Sequence, residues 1–353
     1  MQVTLEQKSR EGTRRGGAAP GALPRYRNRR AALTLVVLGP LVAELALGST
    51  PVHLAFLLVL WLPVYGAGVL LIREAVVRSG GGWPSVMLLG VAYELAEDGI
   101  GLQALSSPHL YHAADWAPRL LGINTAYWEV NLVYHVVFSV TIPILLADLI
   151  FPAGRGRAYL GQIGFVVTAV AALSGVAMLR LSVPPSQDPG YTAPVTVLSA
   201  CVLAVVLVAV VALWLLPRGK PRSRSDETVP PPPALWLIGG AGAFFFMALL
   251  FPFAGAHQPA FTHGSWVLAP MAAAAGIIAG LAWLIRRWSS SRSWGDTQML
   301  SLAGGALIAH TAFGIIGVVH STIDRAGLLV LGLLTVWLLA VLTKRLQSAA
   351  VSP

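Results

Sequence analysis

Charge is what this sequence lacks. Only 11% of its 353 residues are Asp, Glu, Lys or Arg, while 56% are apolar, against roughly 25% and 45–50% in a soluble globular domain. A water-soluble chain of this size needs a charged surface, and these charges cannot cover one. A bilayer removes that need because lipid solvates an apolar exterior, so the composition argues against a soluble α/β protein. Cysteine is scarce too. Cys201 stands alone within an apolar run, which excludes an intramolecular disulfide and a thiolate metal cluster. Histidine is present, but in no HxH or HExxH spacing, and His109 and His112 are the only close pair. Metal and cofactor dependence are therefore left open.

The net charge of +9 raises the question of nucleic acid. The basic residues sit in short clusters between apolar runs, with no basic-and-aromatic binding surface, so they read as membrane topology and no nucleic-acid partner is expected. A spanning helix needs about 20 mostly apolar residues. Runs of that kind lie at 31–49, 52–72, 84–104, 127–150, 158–179, 193–216, 235–254, 266–285, 299–319 and 326–343. The expected fold is all-α: a polytopic integral membrane protein of about ten transmembrane helices. Small residues at Ala46 and Gly48, near the end of the first run, follow an apolar stretch, as at a signal-peptide cleavage site. That run is long for the role and contains Glu44, so an uncleaved first span is expected.

The positive-inside rule tests the count. With the N-terminus inside, eight basic residues precede the first span. Further cytoplasmic clusters hold Arg73 and Arg78; Arg155 and Arg157; Arg218, Lys220, Arg222 and Arg224; Arg286, Arg287 and Arg292; Lys344 and Arg345. Of the 24 Lys and Arg, only Arg119, Arg180 and Arg325 fall elsewhere. Adding or losing one span inverts every later loop, so ten spans with both termini cytoplasmic, in the cell membrane, fit best.

The chain then divides as follows. Residues 1–30 form a disordered basic arm, and 31–216 hold helices one to six with the candidate polar site. A basic, Pro-rich cytoplasmic linker occupies 217–234, helices seven to ten occupy 235–343, and 344–353 form a cytoplasmic tail. Trp83, Trp128, Trp214, Trp236, Trp266 and Trp288 lie near span ends, as an interfacial belt requires. Gly276 and Gly280 have the GxxxG spacing of helix packing. A five-plus-five inverted repeat is allowed by topology, but no internal sequence repeat supports it.

Some polar residues lie where lipid makes them expensive, at ~2.5–3.5 kcal/mol or more for a charge at a span centre. Span three contains Glu94, Glu97 and Asp98; positions 94 and 98 share one helix face, with Glu97 beside them. Three carboxylates this close cannot all ionise comfortably in a low dielectric, so they must hold a proton or a cation. Span four offers Asn131, His135 and Ser139 four residues apart, with Trp128 one turn above and Glu129 directed away toward solvent. From a rise of ~1.5 Å per residue, Asp98 and His135 lie roughly 9 and 12 Å below the outer ends of their spans. Glu44, beyond a kink expected at Gly39-Pro40, and His310 lie at about 8 and 13 Å. His53, His109, His112, His257, His263 and His320 belong to outer loops or outer span ends. Together these point to an outward-facing acid and histidine cavity. The outer loop from 105 to 126 is long enough to fold over it, and its Trp116, Arg119 and Asn124 either contact a polar headgroup or cap helices. On the other side, Glu74 and Arg78 suit a surface pair near Arg73, and Asp148 can meet Arg155 or Arg157.

The intramembrane glutamic proteases related to abortive-infection proteins need adjacent glutamates followed by Arg. Here Glu97-Asp98 is followed by Gly99 without such an Arg, and the site would face the wrong side, so that resemblance fails. Two classes remain. One is a membrane-embedded hydrolase, transferase or cyclase acting on a lipid-like substrate. In that reading Glu94 and Asp98 are general acid/base and His135 their partner, while Asn131, Ser139, Trp128, Glu97, Glu44 and His310 bind or orient substrate. The other is a proton- or cation-coupled small-molecule transporter using the same carboxylates. The concentration of charge in the first four spans, with few polar residues in the inner half, favours the enzyme. The expected partners are the bilayer and a lipid-like or small-molecule ligand; oligomeric state is not encoded legibly. If neutral replacements of Glu94, Asp98 and His135 cost stability alone, in assays of both turnover and uptake, neither reading stands.

Overall fold

The computed structural model describes residues 27–115, 117–216, 225–250 and 264–351. Among these no strand occurs; isolated bridges at Leu120–Ile123 and Ser225–Ser291 only tie loops. The dominance of helix follows from the composition, since a helix satisfies its backbone groups internally and needs no water to do so.

Helix α1 (Arg29–Pro40) begins at Asn28, whose side-chain oxygen accepts from the Ala31 N–H at 3.0 Å and so satisfies a first-turn donor. It widens into a π turn at Leu41–Leu45. A 3₁₀ segment (Val52–Leu57), α2 (Leu58–Trp61), a π turn (Leu62–Ala67) and α3 (Gly68–Ser79) follow as one rod. Gly80 ends it at φ 72°, the left-handed conformation that glycine adopts without a steric cost. Helix α4 (Trp83–Glu94) passes into a π turn at Leu95–Gly101. Next come α5 (Thr125–Tyr134), a π turn (His135–Thr141) and α6 (Ile142–Ile150), again one rod. The remainder are α7 (Gln162–Gln187), α8 (Val195–Val210), α9 (Pro232–Leu250), α10 (Leu268–Trp288), α11 (Asp296–Phe313) and α12 (Thr322–Val351).

Among the described residues, 8 helical rods are long and apolar enough to cross a membrane. The runs expected at 31–49 and 84–104 are helical too, but differ from these. Helix α1 has 12 residues before its five-residue π turn, and α4 with its π turn carries three carboxylates. The fifth helix runs beyond the expected 179 to Gln187 and takes in Arg180, Pro184 and Pro185. Large apolar side chains face outward, as at Leu173 (70% exposed) on α7 and Leu333 (71%) on α12, a surface suited to lipid and untenable in water.

Helices α9 and α11 pack backbone to backbone. A Cβ at Gly305 would stand 2.0 Å from the Trp236 carbonyl oxygen, and one at Gly239 would stand 2.1 Å from that of Leu302. Among the described residues the expected GxxxG contact is not formed, because nothing lies within 4 Å of a Cβ built at Gly276 or Gly280. The part of the 217–234 linker from Ser225 onward lies along Ser290–Arg292, with Ser225 N–H donating to Ser290 O at 2.9 Å; residues 217–224 lie outside the described residues.

At the end of the bundle where α3, α6 and α7 meet, Arg73 is 1% and Glu74 0% exposed. The expected surface pair is thus a buried network. The Arg73 guanidinium donates to Asp148 Oδ1 at 2.8 and 3.0 Å, to Gly154 O at 2.9 Å and to Arg157 O at 3.1 Å. It also lies 3.3 Å from the Tyr159 ring centroid. Glu74 accepts from the Tyr159 and Leu160 backbone N–H groups and from Arg78. Asp148 therefore pairs with Arg73, while Arg155 reaches across to Asp296 at 2.8 Å. Each buried charge has a partner, and removing one leaves the rest uncompensated. Arg73→Leu is expected to destabilise the fold by about 3–5 kcal/mol, read as a lowered unfolding midpoint of the detergent-solubilised protein; an unchanged midpoint would contradict this assignment.

Candidate functional site

Six π turns occur among the described residues, and five of them carry or adjoin one polar cluster. Glu44 lies in the first, Tyr65 in the second, Glu97 and Asp98 in the third, and His135 and Ser139 in the fourth; the turn at Gly314–Val318 directly follows the helix end bearing His310. The causes are partly readable. Pro40 immediately precedes the first turn, Pro63 lies in the second and Pro143 follows the fourth. Proline removes a backbone donor and crowds the carbonyl four residues back, which favours local rearrangement of the helix. Such turns are frequent at functional sites.

His135 is the hub. Its Nδ1 lies 2.9 Å from Ser139 Oγ and 3.5 Å from Glu97 Oε2, and its Nε2 lies 3.7 Å from Asp98 Oδ2. Rings of Tyr93, Tyr134 and Tyr65 surround the imidazole at centroid distances of 5.7, 5.6 and 6.3 Å. Trp128 Nε1 donates to Glu94 Oε2 at 3.2 Å, and the Tyr127 hydroxyl donates to Asp98 Oδ1 at 3.1 Å. Glu44 accepts from Thr50 at 3.0 Å, and Thr50 in turn accepts from Trp61 Nε1 at 3.1 Å.

His310 joins the wall through Tyr134, whose hydroxyl donates to the Ala43 carbonyl and lies 3.0 Å from His310 Nε2. A phenol has one proton. With that proton given to Ala43, His310 Nε2 must be the donor to Tyr134, leaving Nδ1 as a bare lone pair; it is buried without a partner. Glu94 Oε1, Glu97 Oε2 and Asp98 Oδ2 likewise lack a hydrogen-bond donor. Two unit charges 4 Å apart interact by about 4 kcal/mol at an effective dielectric of 20, so this set can persist only by sharing protons or a cation.

Of the expected residues, the structure brings together Glu94, Glu97, Asp98, His135 and Ser139, with Glu44, His310 and Trp128 at the margins. Asn131 stays apart, its Nδ2 donating to the Tyr127 carbonyl at 3.0 Å. Glu129 is half-buried rather than solvated. The expected open cavity is a closed cluster: Glu94, Glu97, Asp98 and His135 are 0–4% exposed. The four tyrosines at 65, 93, 127 and 134 were not anticipated. Their signal is positional, since Tyr93, Tyr127 and Tyr134 each directly precede Glu94, Trp128 and His135.

Among the described residues the outer histidines take separate partners. His53 pairs with Asp324 at 2.8 Å, His109 with Asp188 at 3.0 Å and His112 with Asp115 at 3.5 Å; His257, His263 and Trp116 lie outside the described residues. No three His, Cys, Asp or Glu side chains among the described residues gather as metal ligands. The 102–124 loop folds over this end of the cluster. Asn124 caps it from within, donating to Ala104 O and Ser107 O at 2.8 Å each, and Arg119 donates to Ser106 O and Gly122 O. Tyr111, in left-handed backbone at φ 56°, stacks on Tyr127 at 6.2 Å, so the loop touches the ring that holds Asp98.

A family model described as an uncharacterized membrane protein family matches residues 33–221, which include every residue of the cluster except His310. No curated protein and no solved structure matches the chain.

Asp188 clasps that loop. Burial alone would raise its pKa, but hydrogen bonds from Ser107 and His109 outweigh it and hold the carboxyl below its ordinary value. A depressed folded-state pKa contributes stability above the unfolded value and loses it as pH falls through the folded one. Asp188→Asn is therefore expected to speed hydrogen exchange across 102–124 at pH 7, with the difference from wild type shrinking as pH falls below the ordinary aspartate range. Equal exchange at pH 7 would remove the clasp.

Proposed function

The chain belongs to that membrane protein family, and from its acid–histidine cluster we propose that it is a membrane-embedded enzyme acting on an apolar-tailed, lipid-like substrate by general acid–base chemistry. In this reading the chain spans the cell membrane ten times with both termini in the cytoplasm, and the cluster lies toward the outer leaflet. The segregation of 21 of the 24 Lys and Arg into the inner segments supports that orientation.

The observation that carries the proposal is His135 held between Glu97 and Asp98, beside carboxyl oxygens that have no donor of their own. A proton can pass between imidazole and carboxyl over such distances once a substrate tightens the geometry. His135 takes a proton from an attacking hydroxyl or water, with Ser139 and Glu97 fixing its ring. Glu94 or Asp98 returns a proton to the departing group. Tyr127 and Trp128 hold the two acids in position, and Glu44 and His310 border the substrate.

Coupled transport is the second reading, favoured by the same donorless oxygens, which suit a carried proton or cation. The packing between the cluster and the opposite end weighs against it. Eight residues of helix, about 12 Å, separate Tyr65 from Arg73, and the interval is filled by Val69, Leu70, Ile72, Ile144 and Leu145, all buried. Beyond it the Arg73 network closes the far end with its donors satisfied. Alternating access would have to break both layers.

The expected result for an enzyme is that Glu94→Gln and Asp98→Asn each lower turnover of a lipid-like substrate by 10²-fold or more, without any requirement for an ion gradient. If instead proteoliposomes accumulate solute only under a pH or sodium gradient, and these variants uncouple it, the enzymatic reading is wrong.

A further inference from the structure

Four carboxylates surround the cluster, yet it contains no Lys or Arg. Among the described residues the acids Glu94, Glu97 and Asp98 make no ion pair with Lys or Arg; His135 alone approaches two of them. Arg180, which lies near the same π turn, directs Nη1 to the Ile100 carbonyl at 3.5 Å. The remaining wall is aromatic: Tyr65, Tyr93, Tyr127, Tyr134 and Trp128. Of the four buried polar atoms outside the acids that lack partners among the described residues, two belong to this wall, the Tyr93 hydroxyl and His310 Nδ1, and Tyr93 faces the cluster with its ring 6.1 Å from Tyr65 and 5.7 Å from His135.

We propose that this site recognises an amphiphile with an ammonium head group. The inference rests on reading the cluster as a ligand site and adds the charge of what it takes. An anionic head, such as a phosphate, would meet several carboxylates and no cation, a like-charge arrangement that a low dielectric penalises heavily. A bare metal ion needs converging ligands, and no three candidate side chains converge among the described residues. An ammonium spreads its charge over N–H or N–CH₃ groups several ångströms apart. It can therefore neutralise separated carboxylates while its alkyl surface lies on ring faces, the combination by which aromatic cages hold quaternary ammonium ligands. The bare lone pairs of Glu94, Glu97, Asp98 and His310 accept from its N–H donors where it has them.

The way in is at Trp128. This residue is 38% exposed, and its indole N–H is bonded to Glu94, itself 0% exposed. Turning that ring outward uncovers the acid toward the lipid-facing side of α5, from which an amphiphile enters head first with its tail remaining in the bilayer.

The test uses the full chain in lipid nanodiscs, with empty nanodiscs subtracted, and isothermal titration of three octyl amphiphiles: octyltrimethylammonium, octanol and octyl phosphate. Saturable binding of the ammonium probe, at least tenfold tighter than either other probe, is expected. Glu94→Gln and Glu97→Gln should each weaken it tenfold or more, and Trp128→Ala should change its association rate. Because an acid variant can lose its fold, the wild-type ranking is itself decisive. Equal affinity for the three probes, or tighter binding of octyl phosphate, would overturn the proposal. Turnover of an uncharged or anionic lipid without ammonium binding would also overturn it while leaving the enzymatic reading intact. Ammonium binding without turnover of any amphiphile would support it and count against the enzyme.

Discussion

Three carboxylates that cannot all be charged together organise this structure. Glu94, Glu97 and Asp98 lie within five consecutive residues of one helix and are almost wholly buried, in a medium where an uncompensated charge costs several kcal/mol. The surrounding elements can be read as responses to that constraint. Tyr127 and Trp128 from α5 each supply one donor, and His135 stands between two of the acids. What is left over, three oxygens without donors, is the part of the arrangement that structural stability alone does not require.

The opposite end of the bundle shows what a purely structural solution looks like. Arg73 and Glu74 are as deeply buried as the acid cluster, with Asp148 part-buried beside them, but there the charges alternate in sign and the guanidinium donors find acceptors. Nothing in that network lacks a partner in the way Glu94 Oε1 does. The contrast within one molecule separates a charged anchor from a site held ready for something else. The π turns sharpen it, since they gather around the acids and His135 and are absent from the helices that form the Arg73 network beyond Ile142 and Gly68.

Much of the fold was legible because lipid imposes a simple rule, and the described part of each apolar run is mainly helix. Length and hydropathy alone mark eight crossings among the described residues, because the first helix is brief and span three is helical despite its acids. The meeting of Glu94, Glu97, Asp98 and His135 followed from four-residue spacing and matched depth. Four-residue spacing does not reveal that the Asn131 amide is taken up by the Tyr127 carbonyl one turn back in its own helix. The tyrosines were missed for a different reason: an aromatic residue in an apolar run is ordinarily core, and only the partner across the helix interface shows that its hydroxyl meets an acid. Glu74 looked like a surface pair because the i,i+4 spacing with Arg78 is real; its burial depends on the 151–161 loop, which no local pattern announces.

The central claim is that the carboxyl set in α4 shares protons inside the protein rather than standing fully ionised. Infrared spectroscopy of the reconstituted protein at neutral pH reads this directly through the carbonyl stretch of protonated carboxyl groups. That signal is expected in the wild type and should diminish on Glu94→Gln or Asp98→Asn, with no such change on Asp188→Asn. A spectrum without protonated carboxyl groups, or one unaltered by those two replacements, would contradict it.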